Sequence, residues 1–230
     1  MISVFASSGQ EPLFTIANKL PVPELVVTEW AIIFVIAAFA YLATRKMERV
    51  PRGFQNALEM VVEWTHDFFG GMMTKAVAKK WMPILTTFFL FILVSNYSGL
   101  IPGASTVTGY KVPTADWNVT ATLAVTVFLS VQVAGFREHG MGYFGNFIKP
   151  MPLMLPLNLL EEVVRPLSLT LRLFGNVFGE ETIIAFLLMM APFFVPMPIM
   201  ALGLITGAIQ AIVFTILAAS YIGAATGEGH

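Results

Sequence analysis

From Val26 to Thr44 the chain reads VVTEWAIIFVIAAFAYLAT, an apolar run of the length that crosses a bilayer. A hydrocarbon core about 30 Å thick needs roughly 20 helical residues to span it. Inside lipid every backbone N–H and C=O must be bonded within the protein, so an isolated run of this kind is a helix. Comparable runs lie at 82–101 and 119–136, with two more at 153–190 and 199–223. The expected fold class is therefore an all-α integral membrane protein with about five crossing helices. Composition agrees: 57% of the 230 residues are hydrophobic and only 12% are charged, about half the charged fraction of a soluble domain. Residues 1–25 form an external N-terminal segment, without the basic and apolar regions of a cleaved signal peptide.

Residues 53–73, GFQNALEMVVEWTHDFFGGMM, have a different pattern. Phe54, Leu58, Val61, Val62 and Phe69 alternate at helical spacing with Gln55, Glu59, Glu63 and Asp67. That is an amphipathic helix lying on the membrane surface. Trp30 and Tyr41 read as interface anchors of the first span.

Basic residues orient the chain. Arg45, Lys46, Arg49, Arg52, Lys75, Lys79 and Lys80 lie between the first two spans, Lys111 alone between the next two, and Arg137 and Lys149 after the third. The positive-inside rule puts the N-terminus outside and, after two further crossings, the C-terminus in the cytoplasm. The near-neutral net charge gives no footprint for nucleic acid. Three scattered histidines and no cysteine leave no metal cluster and call for no cofactor.

The informative stretch is RPLSLTLRLFGNVFGEE, Arg165 to Glu181. A single helix from Leu153 to Met190 would extend roughly 57 Å. That is about twice the hydrocarbon thickness, so it must kink, tilt steeply or lie partly in the interface. Pro156 and Pro166 are the kink points. At about 100° per residue, Glu161, Arg165, Ser168, Arg172, Asn176 and Glu180 fall on one stripe, and Glu181 projects opposite Arg172. Several readings fit this pattern. Arg165 and Glu161 suit an interfacial ion pair. Arg172 suits either a snorkelling residue or a charge kept in the membrane for use. Glu180 and Glu181 suit caps on a shorter helix starting at Thr182 or groups in a polar path. Gly175 and Gly179, with Gly203 and Gly207 on the last helix, suit close helix approach.

This run, with GAIQAIVFTILAASYIG in the last helix, closely resembles subunit a of F-type ATP synthases. The order of elements resembles that family across nearly the whole chain. The last helix is particularly similar to the cyanobacterial and plastid type. The resemblance implies a steeply tilted C-terminal hairpin packed against a rotor ring of small c subunits, with b-type peripheral-stalk subunits as further partners in the ATP synthase complex. Arg172 matches the essential stator arginine, Glu181 the channel carboxylate, Asn176 the motif asparagine, and Gln210 the glutamine facing the arginine. Some members carry a histidine two turns before that glutamine; here it is Gly203.

The function so implied is ion translocation, with protons entering and leaving a rotor carboxylate through two half-channels on either side of Arg172. Glu161, Glu162 and Ser168 suit the inner half-channel, while Glu180 and Glu181 lie further towards the outside-facing turn. The subunit itself would carry out no bond chemistry, and would sit in a bacterial plasma membrane or a thylakoid-type one. A secondary ion-coupled transporter is the competing class, but the paired broken helices and internal repeat it calls for are not visible. An intramembrane enzyme would need a nucleophile–base or metal cluster, and none is spaced for it.

Overall fold

The computed structural model describes residues 12–16, 20–45, 53–100, 111–140, 155–190 and 194–227. The Pro102-Gly103 stop, all but the first residue of the glycine-rich GMGYFGNFIKPMP piece and the basic residues Lys46, Arg49, Arg52 and Lys149 lie outside them. So do most of the N-terminal segment and the first part of the turn between the last two helices.

The described residues build six long helices. These are α1 (Glu24–Thr44), α2 (Phe54–Gly70), α3 (Lys75–Ser98), α4 (Trp117–His139), α5 (Leu155–Met190) and α6 (Pro196–Ala225). All except α2 are long and apolar enough to cross a membrane. The protein is an all-α integral membrane protein. A short antiparallel ribbon, Pro12–Ile16 paired with Leu20–Pro23, precedes α1.

Helix α3 starts at Lys75, before the apolar run at Met82, and takes in Lys79, Lys80 and Pro83. Hydropathy marks only the part of a helix that tolerates lipid. The backbone continues into the interface, where lysine heads reach water. Helix α4 begins at Trp117, where the Asp116 carboxylate accepts a 2.8 Å bond from the Asn118 N–H, satisfying one of the donors that a helix start leaves free. Helix α5 runs unbroken through Pro166 for 36 residues. At roughly 54 Å it exceeds the hydrocarbon thickness, so it must tilt or project beyond the core.

The centre of the bundle is α3, α4, α5 and α6. Leu85 and Ile92 of α3, Val127 of α4, Leu169 and Leu173 of α5, and Phe214, Ala218 and Ile222 of α6 are buried together. Lipid tails are as apolar as leucine, so close packing rather than water exclusion holds these helices. Helix α6 is built for it: Gly203, Gly207, Ala211, Ala218, Ala219 and Gly223 all lie on its buried side. A methyl at Gly223 would come within 2.7 Å of the Met72 carbonyl. Helix α2 packs on α3 through Phe69 and through Thr65, whose hydroxyl is 3.1 Å from that of Thr86. Trp64 stacks on Phe68 and contacts the rings of Phe69 and Phe89. Helix α1 is peripheral, with Trp30 and Phe34 largely exposed.

Candidate functional site

The polar stripe of α5 does not face one neighbour. Its members divide into two groups with opposite fates.

Arg165 is fully engaged. Its guanidinium bonds Glu161 at 2.7 Å and Glu162 at 2.9 Å, and lies 5.2 Å from the centre of the Tyr221 ring on α6. The other oxygen of Glu162 accepts a 2.8 Å bond from the Gln132 amide on α4. The ion pair read from Arg165 and Glu161 is present, and it extends over three helices. The carboxylates suited to an inner half-channel are thus both held by an arginine. Ser168 lies half-buried between the two groups.

Arg172, two turns on, is exposed on the surface of α5. Among the described residues it makes no ion pair and no hydrogen bond. Beside it on the same side, Gly175 and Gly179 face open space, with nothing near where a side chain would be. The expectation that these two glycines let α6 approach is overturned. Only Gly203, on the opposing helix, does that, because α5 turns its leucine face to the bundle and its glycine face away, while Gly207 lets α3 approach α6. A methyl at Gly207 would lie 3.2 Å from the Asn96 Cβ, and one at Gly203 would overlap the Glu180 carboxylate.

Asn176 donates to Gln210 across the hairpin at 2.8 Å. Gln210 therefore meets the asparagine one turn from Arg172, and its own amide nitrogen is buried without a partner. One turn further along α5, Glu180 accepts a weak 3.4 Å bond from Thr206, while its other oxygen is buried and unpaired against Gly203. Glu180 and Glu181 sit in the middle of a continuous α5, so neither caps a helix beginning at Thr182.

These residues meet in one small cleft of about 30 Å³, open to the surroundings and lined by Asn96, Asn176, Glu180, Glu181, Thr206 and Gln210 among others. Although Glu181 points away from Arg172, it reaches this cleft and a second hollow with Phe178, Thr182 and Phe186. The arrangement offers two carboxylates, three amides and a hydroxyl in a cleft one turn from an arginine that has no ion pair among the described residues. Such groups can bind and hand on protons or water. No group of three His, Asp or Glu side chains among the described residues is placed to hold a metal.

Three participants escaped the sequence reading. Asn96 donates from α3 to the Gly207 carbonyl at 3.1 Å and accepts from Thr114 at 2.8 Å. Gln132 and Tyr221 complete the Arg165 network. A polar amide inside an apolar span, as in LVSNYSG and LSVQVAG, is the signal that marks the first two.

Comparisons with known proteins identify the family. The profile of the family described as ATP synthase A chain matches residues 26–223. The chain is 44% identical over 209 residues to the ATP synthase subunit a of Moorella thermoacetica, covering 89% of this chain and 91% of that protein. The narrower likeness of the last helix to the cyanobacterial and plastid type stays an expectation. With the matched region running from the first span to the end of the hairpin, this chain belongs to the ATP synthase A chain family, the proton-translocating stator subunits of F-type ATP synthases.

Proposed function

We propose that Arg172 is the electrostatic gate of this stator subunit, facing a rotor ring of c subunits that each carry a carboxyl group within the membrane. The observation that carries the reading is the contrast between the two arginines of α5. Arg165 has two carboxylates and a ring, whereas Arg172 has no partner among the described residues. An arginine at mid-membrane costs at least about 2.5–3.5 kcal/mol, so one unpaired among the described residues calls for a counter-charge, which a rotor carboxyl supplies. Gly175 and Gly179 leave the surface beside it low, which allows a passing helix to come close.

A guanidinium stays protonated at any relevant pH and favours the ionised form of a nearby carboxyl. A rotor carboxyl must then give up its proton to pass Arg172 and regain one before moving into lipid. Protons reach the ring through the cleft of Glu180, Glu181 and Gln210 on the outer side. They leave on the inner side, past Ser168. Each crossing yields about 2.3 kcal/mol per 100 mV, which the ring carries away as rotation. The subunit itself makes and breaks no covalent bond. The N-terminus lies outside and the C-terminus in the cytoplasm, with b-type stalk subunits holding the chain against the turning ring. The membrane is a bacterial plasma membrane.

The test is Arg172→Ala in the assembled complex in sealed vesicles. ATP-driven acidification should vanish although the complex is intact. Normal acidification would overturn the gate.

A further inference from the structure

We infer that Arg165 is a positioning residue: its clamp on Glu161, Glu162 and Tyr221 fixes the register of α5 against α6 and so holds Arg172 in place. This rests on the reading of Arg172 as the gate.

The contacts across the hairpin share one register. Three turns back along α5 from Asn176 lies Arg165. An equal number of residues forward along α6 from Gln210 lies Tyr221. Both pairs touch, through the 2.8 Å amide bond and the 5.2 Å ring contact. One turn beyond Asn176, Glu180 meets Thr206, again at the matching step of α6. The two helices therefore run antiparallel without slipping over the whole polar segment. Arg172 lies between the inner contact and the outer pair, bracketed by them.

The bracket stands where α5 is weakest. Pro166 has no N–H, so the Glu162 carbonyl loses its helical partner at that turn. Arg165 and Glu162 flank this break, and their side chains tie it to two other helices. Glu162 is held on its far oxygen by Gln132 of α4 at 2.8 Å. The guanidinium lies over Tyr221 of α6. A planar fork that bonds two carboxylates while stacking on a ring is a geometry arginine supplies and lysine does not. Each passing rotor carboxylate pulls Arg172 sideways, and the clamp resists that pull on the inner side. Glu161 and Glu162 are thereby parts of a brace rather than proton carriers.

The chain has no cysteine, so Asn176→Cys with Gln210→Cys reports register by the rate at which the pair cross-links in the whole complex. Adding Arg165→Gln should slow that cross-linking about tenfold, although the substitution lies three turns away. In a separate complex carrying Arg165→Gln alone, protons pumped per ATP hydrolysed should fall by a similar factor. An unchanged cross-linking rate would overturn the clamp, whatever pumping does. Slowed cross-linking with normal pumping would support the clamp and instead remove Arg172 as the gate. If Arg165→Gln blocks assembly, the same two measurements on Tyr221→Leu and Tyr221→Phe decide. Loss with leucine and retention with phenylalanine support the clamp, because only phenylalanine keeps the ring. Equal behaviour of the two overturns it.

Discussion

The carboxylate of Glu180 on α5 occupies the space that a side chain at Gly203 on α6 would need. A titratable group has thus been fitted into a hole left by a glycine, at the position where some members of the family carry a histidine. The titratable group of this passage comes from the other helix of the hairpin.

Gly203→Ala should therefore impair proton pumping, because the new methyl lands on the Glu180 carboxylate and on Leu100. Overpacking of this kind typically costs about 1–3 kcal/mol. Adding Glu180→Gly should restore the amount of assembled complex, but not transport, since the carboxyl is then gone. Immunoblots of the complex and acidification of the same vesicles separate the two effects. Recovered pumping in the double variant would show Glu180 to be packing only.

Glu181 lines the same cleft as a second carboxylate. Glu181→Asp should keep more pumping than Glu181→Gln or Glu181→Leu, because only aspartate retains a titratable group. Pumping by Glu181→Leu at the parent rate would take this residue out of the path.

A leak is the specific signature of a missing gate. In the assembled Arg172→Ala complex a protonated rotor carboxyl could move between half-channels without a turn of the ring. Passive proton flux should rise, and should stop when the rotor carboxyls are blocked covalently. Arg172→Lys should also pump poorly, since an ammonium is a compact, strongly hydrated charge without the planar fork. Tight Arg172→Ala vesicles would contradict the half-channel geometry.

Asn96 ties α3 to the Gly207 carbonyl and to Thr114. Asn96→Leu leaves Thr114 without its acceptor and removes a bond between helices, a loss of about 1 kcal/mol in membrane proteins. The solubilised complex should release this subunit at a lower temperature than the parent. An unchanged release temperature would mean that the α6 backbone needs no brace from α3.

The sequence by itself determined the all-helical membrane fold, since lipid leaves an isolated apolar run no other way to satisfy its backbone. It also pointed to the family, because RPLSLTLRLFGNVFGEE and the glutamine of α6 form a specific combination. Periodicity placed Arg165, Arg172, Asn176 and Glu180 on one stripe, and on a helix seen alone they are equivalent. Only the tertiary structure separated them. Tyr221 and Gln132, both distant in the chain, come close enough to complete the Arg165 network, while no described residue forms an ion pair or hydrogen bond with Arg172. The same applies to the glycines: spacing made Gly175 and Gly203 look alike, but one faces open space and the other receives Glu180. One-dimensional pattern gives the direction of a side chain around its own axis. Whether that direction meets a partner depends on how neighbouring helices rotate and slide, which long-range packing sets.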